Sequence, residues 1–174
     1  RHLQELGALS LLDKGLQGDQ RWCRRIHWAL RLGLPPLPAL LIGATNVLTL
    51  AERLKLSHHQ HLWLKESLEI QHFLASKKLI NQYSNWAPSQ WCDVLESNNW
   101  QPESVALTAC IGLPAWHKLL RWWGCWRHIK PEVSAKELLE KGWLPGPAIG
   151  RELRHRRLEQ VNNYRRRQGQ KKNC

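Results

Sequence analysis

Four arginines, Arg151, Arg154, Arg156 and Arg157, crowd a short stretch that follows a Pro145-Gly146-Pro147 run. The planar guanidinium donates two parallel hydrogen bonds to a phosphate. Pro147 suits the first position of a helix, and Gly146 and Gly150 have no side chain to hold a phosphate away from that helix's leading N–H groups. Arg165, Arg166 and Arg167 extend the basic run toward the end of the chain. The chemistry expected of these residues is phosphate binding, salt-dependent and largely indifferent to base sequence. The competing reading is a solvated basic face with a frayed tail.

Other chemistry-bearing residues argue for less. His58, His59 and His61 sit together in one helical turn, but no cysteine is near and the next acid, Glu66, lies five residues beyond His61. A metal needs three or four convergent ligands, so these are read as surface histidines. Trp122, Trp123 and Trp126 could stack on unpaired bases, but their spacing is more simply that of a helix packing into a bundle, with Arg121 and Arg127 snorkelling beside them. Five widely spaced cysteines form no C-x-x-C pair and are read as reduced, mostly buried thiols. No P-loop, Asp-x-Asp pair or Cys/His couple supports catalysis by these residues.

The elements that must position the basic residues are helices. Apolar residues recur with helical period almost throughout, and no useful segment alternates with period two. Leu3, Leu6, Leu9 and Leu12 predict a first helix. Asp19 is a candidate cap for a second through Trp22, Ile26 and Leu30, stopped by Gly33. Short helices follow over Leu37 to Ala44 and through Leu48, Ala51 and Leu54. Ser57 and Gln60 form a capping box for a long helix running to about Leu79. Pro88 and Pro102 occupy first turns, and Pro114 opens a helix that carries Trp116 to Trp126 and ends before Pro131. Ser134 and Glu137 cap a further helix that Gly142 ends in the left-handed conformation. The last helix starts at Pro147 and buries Ile149, Leu153, Leu158 and Val161. The expected architecture is all-α: a multi-helix body over residues 1–131 and a small basic helical tail over 132–174.

The chain has 174 residues, 43% hydrophobic, with 26 Lys plus Arg against 14 Asp plus Glu and a net charge of +12. Between Arg151 and Cys174 nine basic residues face two acidic ones, so the last 24 residues hold +7 of it. Such a balance favours nucleic acid, an anionic membrane surface or an acidic protein as partner. The uncharged run from Gly33 to Ala51 is broken by Pro35, Pro36, Pro38, Gly43 and Asn46, which excludes a membrane span. With no signal-like segment, the expected compartment is the cytoplasm. The chain begins at Arg1 and contains no methionine, so a piece of a longer protein is expected.

The segment LLEKGWLPGPAIGRELRHRRLEQV, Leu138 to Val161, resembles the C-terminal tail of bacterial class II tRNA nucleotidyltransferases, the CCA-adding enzyme and poly(A) polymerase family. The residues carrying the resemblance are Leu138, Gly142, Pro145, Gly146, Pro147, Ile149, Gly150 and Leu153. A weaker likeness lies in LAERLKLSHHQ, Leu50 to Gln60, similar to a body-domain turn that precedes a long helix. The resemblance implies a helical body and tail that hold tRNA, or another structured RNA, by shape and phosphate contacts. A separate N-terminal head of the same polypeptide would carry a Gly-Ser element and an Asp-x-Asp pair binding two Mg²⁺. Neither element occurs in this chain, nor does the Glu-Asp-x-x-Arg neck motif, so no catalytic residue and no cofactor is expected within it. The expected RNA contacts are Gly146, Gly150, Arg151, Arg154, Arg156, Arg157, Arg165, Arg166 and Arg167. The alternative is a helical protein-interaction or scaffold domain whose basic tail meets an acidic partner.

Overall fold

The computed structural model describes residues 8–16, 20–76 and 83–170, with backbone alone for Ala8 and for 165–170. All regular structure among the described residues is helical, in an all-α multi-helix arrangement. Among the described residues ten α-helices run α1 (Ala8–Leu12), α2 (Gln20–Arg31), α3 (Pro36–Leu41), α4 (Val47–Arg53), α5 (His58–Ala75), α6 (Pro88–Ser97), α7 (Pro102–Ile111), α8 (Trp116–Gly124), α9 (Ala135–Glu140) and α10 (Pro147–Gln170). Single 3₁₀ turns stand at Tyr83–Asn85 and Trp126–His128. The chain divides into two compact units, Arg1–Ser84 with Asn99–Trp123, and Asn85–Asn98 with Gly124–Cys174.

In the first unit α7 is buried on every side from Ser104 through Cys110, the signature of a central helix. It packs against α2 and α5, and the buried hydrophobics include Leu9, Leu34, Leu41, Leu50, Leu64 and Leu107. The polar groups within the α5/α7 contact are paired. Ser67 Oγ donates to the Ser104 carbonyl at 2.8 Å, and Thr108 Oγ1 lies 3.0 Å from Ser67 Oγ. At the start of α7, Glu66 accepts from Gln101 N at 2.8 Å and Ser104 Oγ at 2.6 Å, tying α5 to the entry of α7. Trp63 Nε1 donates to Gln101 Oε1 at 2.8 Å on the same seam. The buried Ser67, Ser104 and Thr108 hydroxyls are tolerated because they are paired.

The second unit is built on α6, whose Trp91, Cys92 and Leu95 are buried, and on α10, which lies against it with Ile149 and Val161 buried. Burial pushes the Cys92 thiol up to about 12, and Cys110 in the first unit likewise to about 12, so neither is a reactive thiolate near neutrality. Cys23 is exposed and Cys125 half-buried.

Several helix ends match expectation: Ser57 caps α5, Ser134 caps α9, and Pro88, Pro102 and Pro147 open α6, α7 and α10. The tryptophan helix departs from it. Pro114 sits in the turn before α8, the helix ends at Gly124, and Cys125 (φ −133°, ψ −63°) turns the chain into the 3₁₀ turn that carries Trp126. Glycine is a weak helix former, and its position here is where the break falls. Residues 1–7, Asp19 and Leu79, which bear on three of the expected helix boundaries, lie outside the described residues.

Candidate nucleic-acid interface

The basic stretch is α10, and its N-terminal entry is fixed by the end of α9. There Gly142 N donates to the Leu139 carbonyl at 2.9 Å and Trp143 N to that of Leu138 at 3.1 Å, the paired bonds of a Schellman ending. Gly142 has φ of +89°, a conformation that would strain a residue with a Cβ. The chain then turns through Pro145 and Gly146 into α10. A Cβ built at Gly146 or Gly150 would meet no atom within 4 Å, so the approach to the first turn is open.

The arginines of α10 divide among three faces. Arg151 and Arg154, three residues apart and both exposed, share one of them. Arg154 Nη2 lies 2.6 Å from Asp93 Oδ1 of α6, with roughly half of each side chain in solvent (49% and 57%). Arg156 points to a second face, where Nε donates to Glu152 Oε1 at 2.7 Å. Beside it His155 Nε2 stands 3.4 Å from Glu159 Oε1. This face borders a cleft of about 540 Å³ that Glu132 also lines, and its three carboxylates make it a poor place for a phosphate.

Arg157 faces inward, only 17% exposed. Its guanidinium holds Glu96 bidentately, Nη1 to Oε2 at 2.6 Å and Nη2 to Oε1 at 2.8 Å. Nε donates to the Ile129 carbonyl at 2.8 Å, and Nη2 lies 3.3 Å from that of Trp126. The Glu96 hydrogen bonds raise its pKa further above an already high value. This arginine ties α10 to α6 and to the 3₁₀ turn, with most of its donors already engaged within the protein. Arg165, Arg166 and Arg167 continue the backbone of α10, and their side chains lie outside the described residues.

Sequence reasoning missed the acidic partners Asp93 and Glu96. A signal was present: two acids three apart on α6 match two arginines three apart, Arg154 and Arg157, on α10. It also missed the apolar rim of the α9–α10 turn, where Leu139 is 43%, Trp143 38% and Leu144 84% exposed. Elsewhere, His58 and His59 are exposed, and His61 Nε2 lies 3.8 Å from Glu52. Among the described residues no three His, Cys, Asp or Glu side chains converge as metal ligands. No helix among them is long and apolar enough to cross a membrane. No family model matches this chain, and neither a curated protein nor a solved structure matches it.

Proposed function

We propose that this chain holds structured RNA, tRNA in the first instance, by phosphate contacts from the exposed basic face of α10. It would serve as the RNA-binding body and tail of a cytoplasmic nucleotidyltransferase of the CCA-adding or poly(A) polymerase type. In that reading the nucleotide transfer and its Mg²⁺ belong to a catalytic head outside these residues. The observation that carries it is the Arg151/Arg154 face beside the open entry turn at Gly146 and Gly150. The Arg154–Asp93 pair does not oppose it. Exposed pairs are worth about 0–1 kcal/mol, so Arg154 can exchange a carboxylate for a phosphate at little cost. Arg156, paired with Glu152 beside its acidic cleft, is left out of the phosphate face, and Arg157 acts by fixing the helix.

The test is equilibrium binding of tRNA by the chain and by its Arg151→Ala/Arg154→Ala variant over a range of salt. Each lost phosphate contact flattens the log–log slope by about 0.9, so the double variant is expected to lose about 2 from it. An unchanged slope and affinity would refute the assignment. The exposed Leu139, Trp143 and Leu144 favour a second reading, a scaffold docking an acidic protein. That reading requires a stoichiometric protein complex which excess tRNA fails to displace.

A further inference from the structure

The first unit carries a second arrangement that the basic tail does not use. On α2, Arg24, Trp28 and Arg31 lie at helical spacings of four and three and therefore share a face. Trp116, at the start of α8, joins them, its ring centroid 5.5 Å from that of Trp28 at an interplanar angle of 53°. Each indole is covered by a guanidinium: Arg24 Cζ stands 5.0 Å from the Trp116 centroid, and Arg31 Cζ 5.2 Å from that of Trp28. His27 meets Trp28 edge-on and His117 meets Trp116 edge-on, both at 6.2 Å. The result is a run of alternating cations and rings. Trp28 and Trp116 are half-buried, and the four flanking side chains are exposed.

The run is held in place. Trp28 packs against the hydrophobic core. Gly112, which ends α7 with φ of +83°, leaves the space that Arg24 occupies, because a Cβ there would lie 2.8 Å from Arg24 Cζ. The charged side chains of the two helices are all positive. Neither α2 nor α8 contains an acidic residue, whereas Arg21, Arg24, Arg25, Arg31, Lys118 and Arg121 all lie on them. Burial first, then the charges of Lys118 and Arg121, hold the His117 pKa below the usual histidine value. A fully paired duplex hides its base faces and has no use for indoles. Unpaired bases present π-faces that stack on tryptophan, joined to phosphates that match arginine.

We infer that the Arg24–Trp116–Trp28–Arg31 surface is a binding site for unpaired nucleobases of single-stranded RNA, separate from the phosphate face of α10. It does not depend on the assignment of the tail. A bound base stacks on Trp116 after displacing or sandwiching beneath the Arg24 guanidinium, which then engages the adjoining phosphate. The site discriminates strandedness, not sequence.

The experiment uses the full chain and a short unstructured oligoribonucleotide carrying 2-aminopurine, whose fluorescence falls when it stacks on an indole. Wild-type protein is expected to quench the probe on binding. Trp116→Leu should abolish most of the quenching and weaken single-strand affinity about tenfold, while Trp116→Phe restores both. Far-UV circular dichroism of both variants separates loss of stacking from loss of fold. Blunt duplex RNA, which lacks free base faces, should bind wild type and Trp116→Leu alike. Equal quenching by a folded Trp116→Leu would overturn the inference, as would an equal loss of duplex and single-strand binding. Failure of the tail assignment would appear instead as duplex binding indifferent to Arg151 and Arg154.

Discussion

The most constrained side chain in the second unit is Arg157. Its fork spends two bonds on Glu96 and further donors on the carbonyls of Ile129 and Trp126, so its removal strands a half-buried carboxylate. Arg157→Ala is expected to destabilise the protein by about 2–3 kcal/mol, and Arg157→Lys by about 1–2, because an ammonium cannot reproduce the fork. Urea unfolding monitored by tryptophan fluorescence checks both. Arg154→Ala, by contrast, should change stability by less than about 1 kcal/mol. In the first unit Asp13 accepts from Gly15 N at 2.7 Å, Thr45 N at 2.8 Å and Asn46 N at 3.2 Å. The Thr45 bond foremost holds its pKa below the ordinary 3.8. A carboxyl whose folded pKa is depressed adds stability that is present above its unfolded value and lost as pH falls through the folded one. Asp13→Asn is therefore expected to lower the thermal midpoint at neutral pH, with the deficit vanishing as pH falls below 3.8. That arginine would be enriched near the tail was legible in the sequence. Which arginine faced solvent was not, because the acids that claim Arg154 and Arg157 lie some sixty positions earlier on another helix.

Helix starts and stops were the most legible features, since they depend on local chemistry: Ser57, Ser134 and the prolines at first turns act within a few residues of themselves. The end of α4 was less so. There Lys55 N donates to the Glu52 carbonyl at 2.9 Å and Leu56 N to that of Ala51 at 3.0 Å, with Lys55 at φ of +52° where glycine is usual. Nothing in a lysine announces that conformation. Lys55→Gly removes the Cβ strain and adds back chain entropy in the unfolded state, for an expected net gain of about 0.5–1 kcal/mol by denaturant titration. The break of the tryptophan helix at Gly124 was missed because the apolar period carries straight through it, and periodicity outweighs a single glycine when only sequence is read. Nor does periodicity say which core a helix joins: α6 is amphipathic in the ordinary way, and only its contact with α10 assigns it to the second unit.

Across the molecule, the net charge of +12 resolves into surfaces of different character. On α10, Arg156 and Arg157 are matched by Glu152 and Glu96, leaving the exposed Arg151, with Arg154 in a solvent-exposed pair to Asp93, as the face open to a polyanion. On α2 and α8 no acidic residue answers the cations, and there indoles share the surface with them. Charge summed along a sequence does not divide the surface, because the division is made by side chains distant in the chain. The central claim is that the chain is an RNA-holding module, and its most direct test is tRNA binding by the full 174-residue chain across a salt series. Binding at low salt, with log K falling linearly against log salt at a slope of about −2 or steeper, is the predicted result. Absence of binding at low salt, or affinity indifferent to salt, would contradict it.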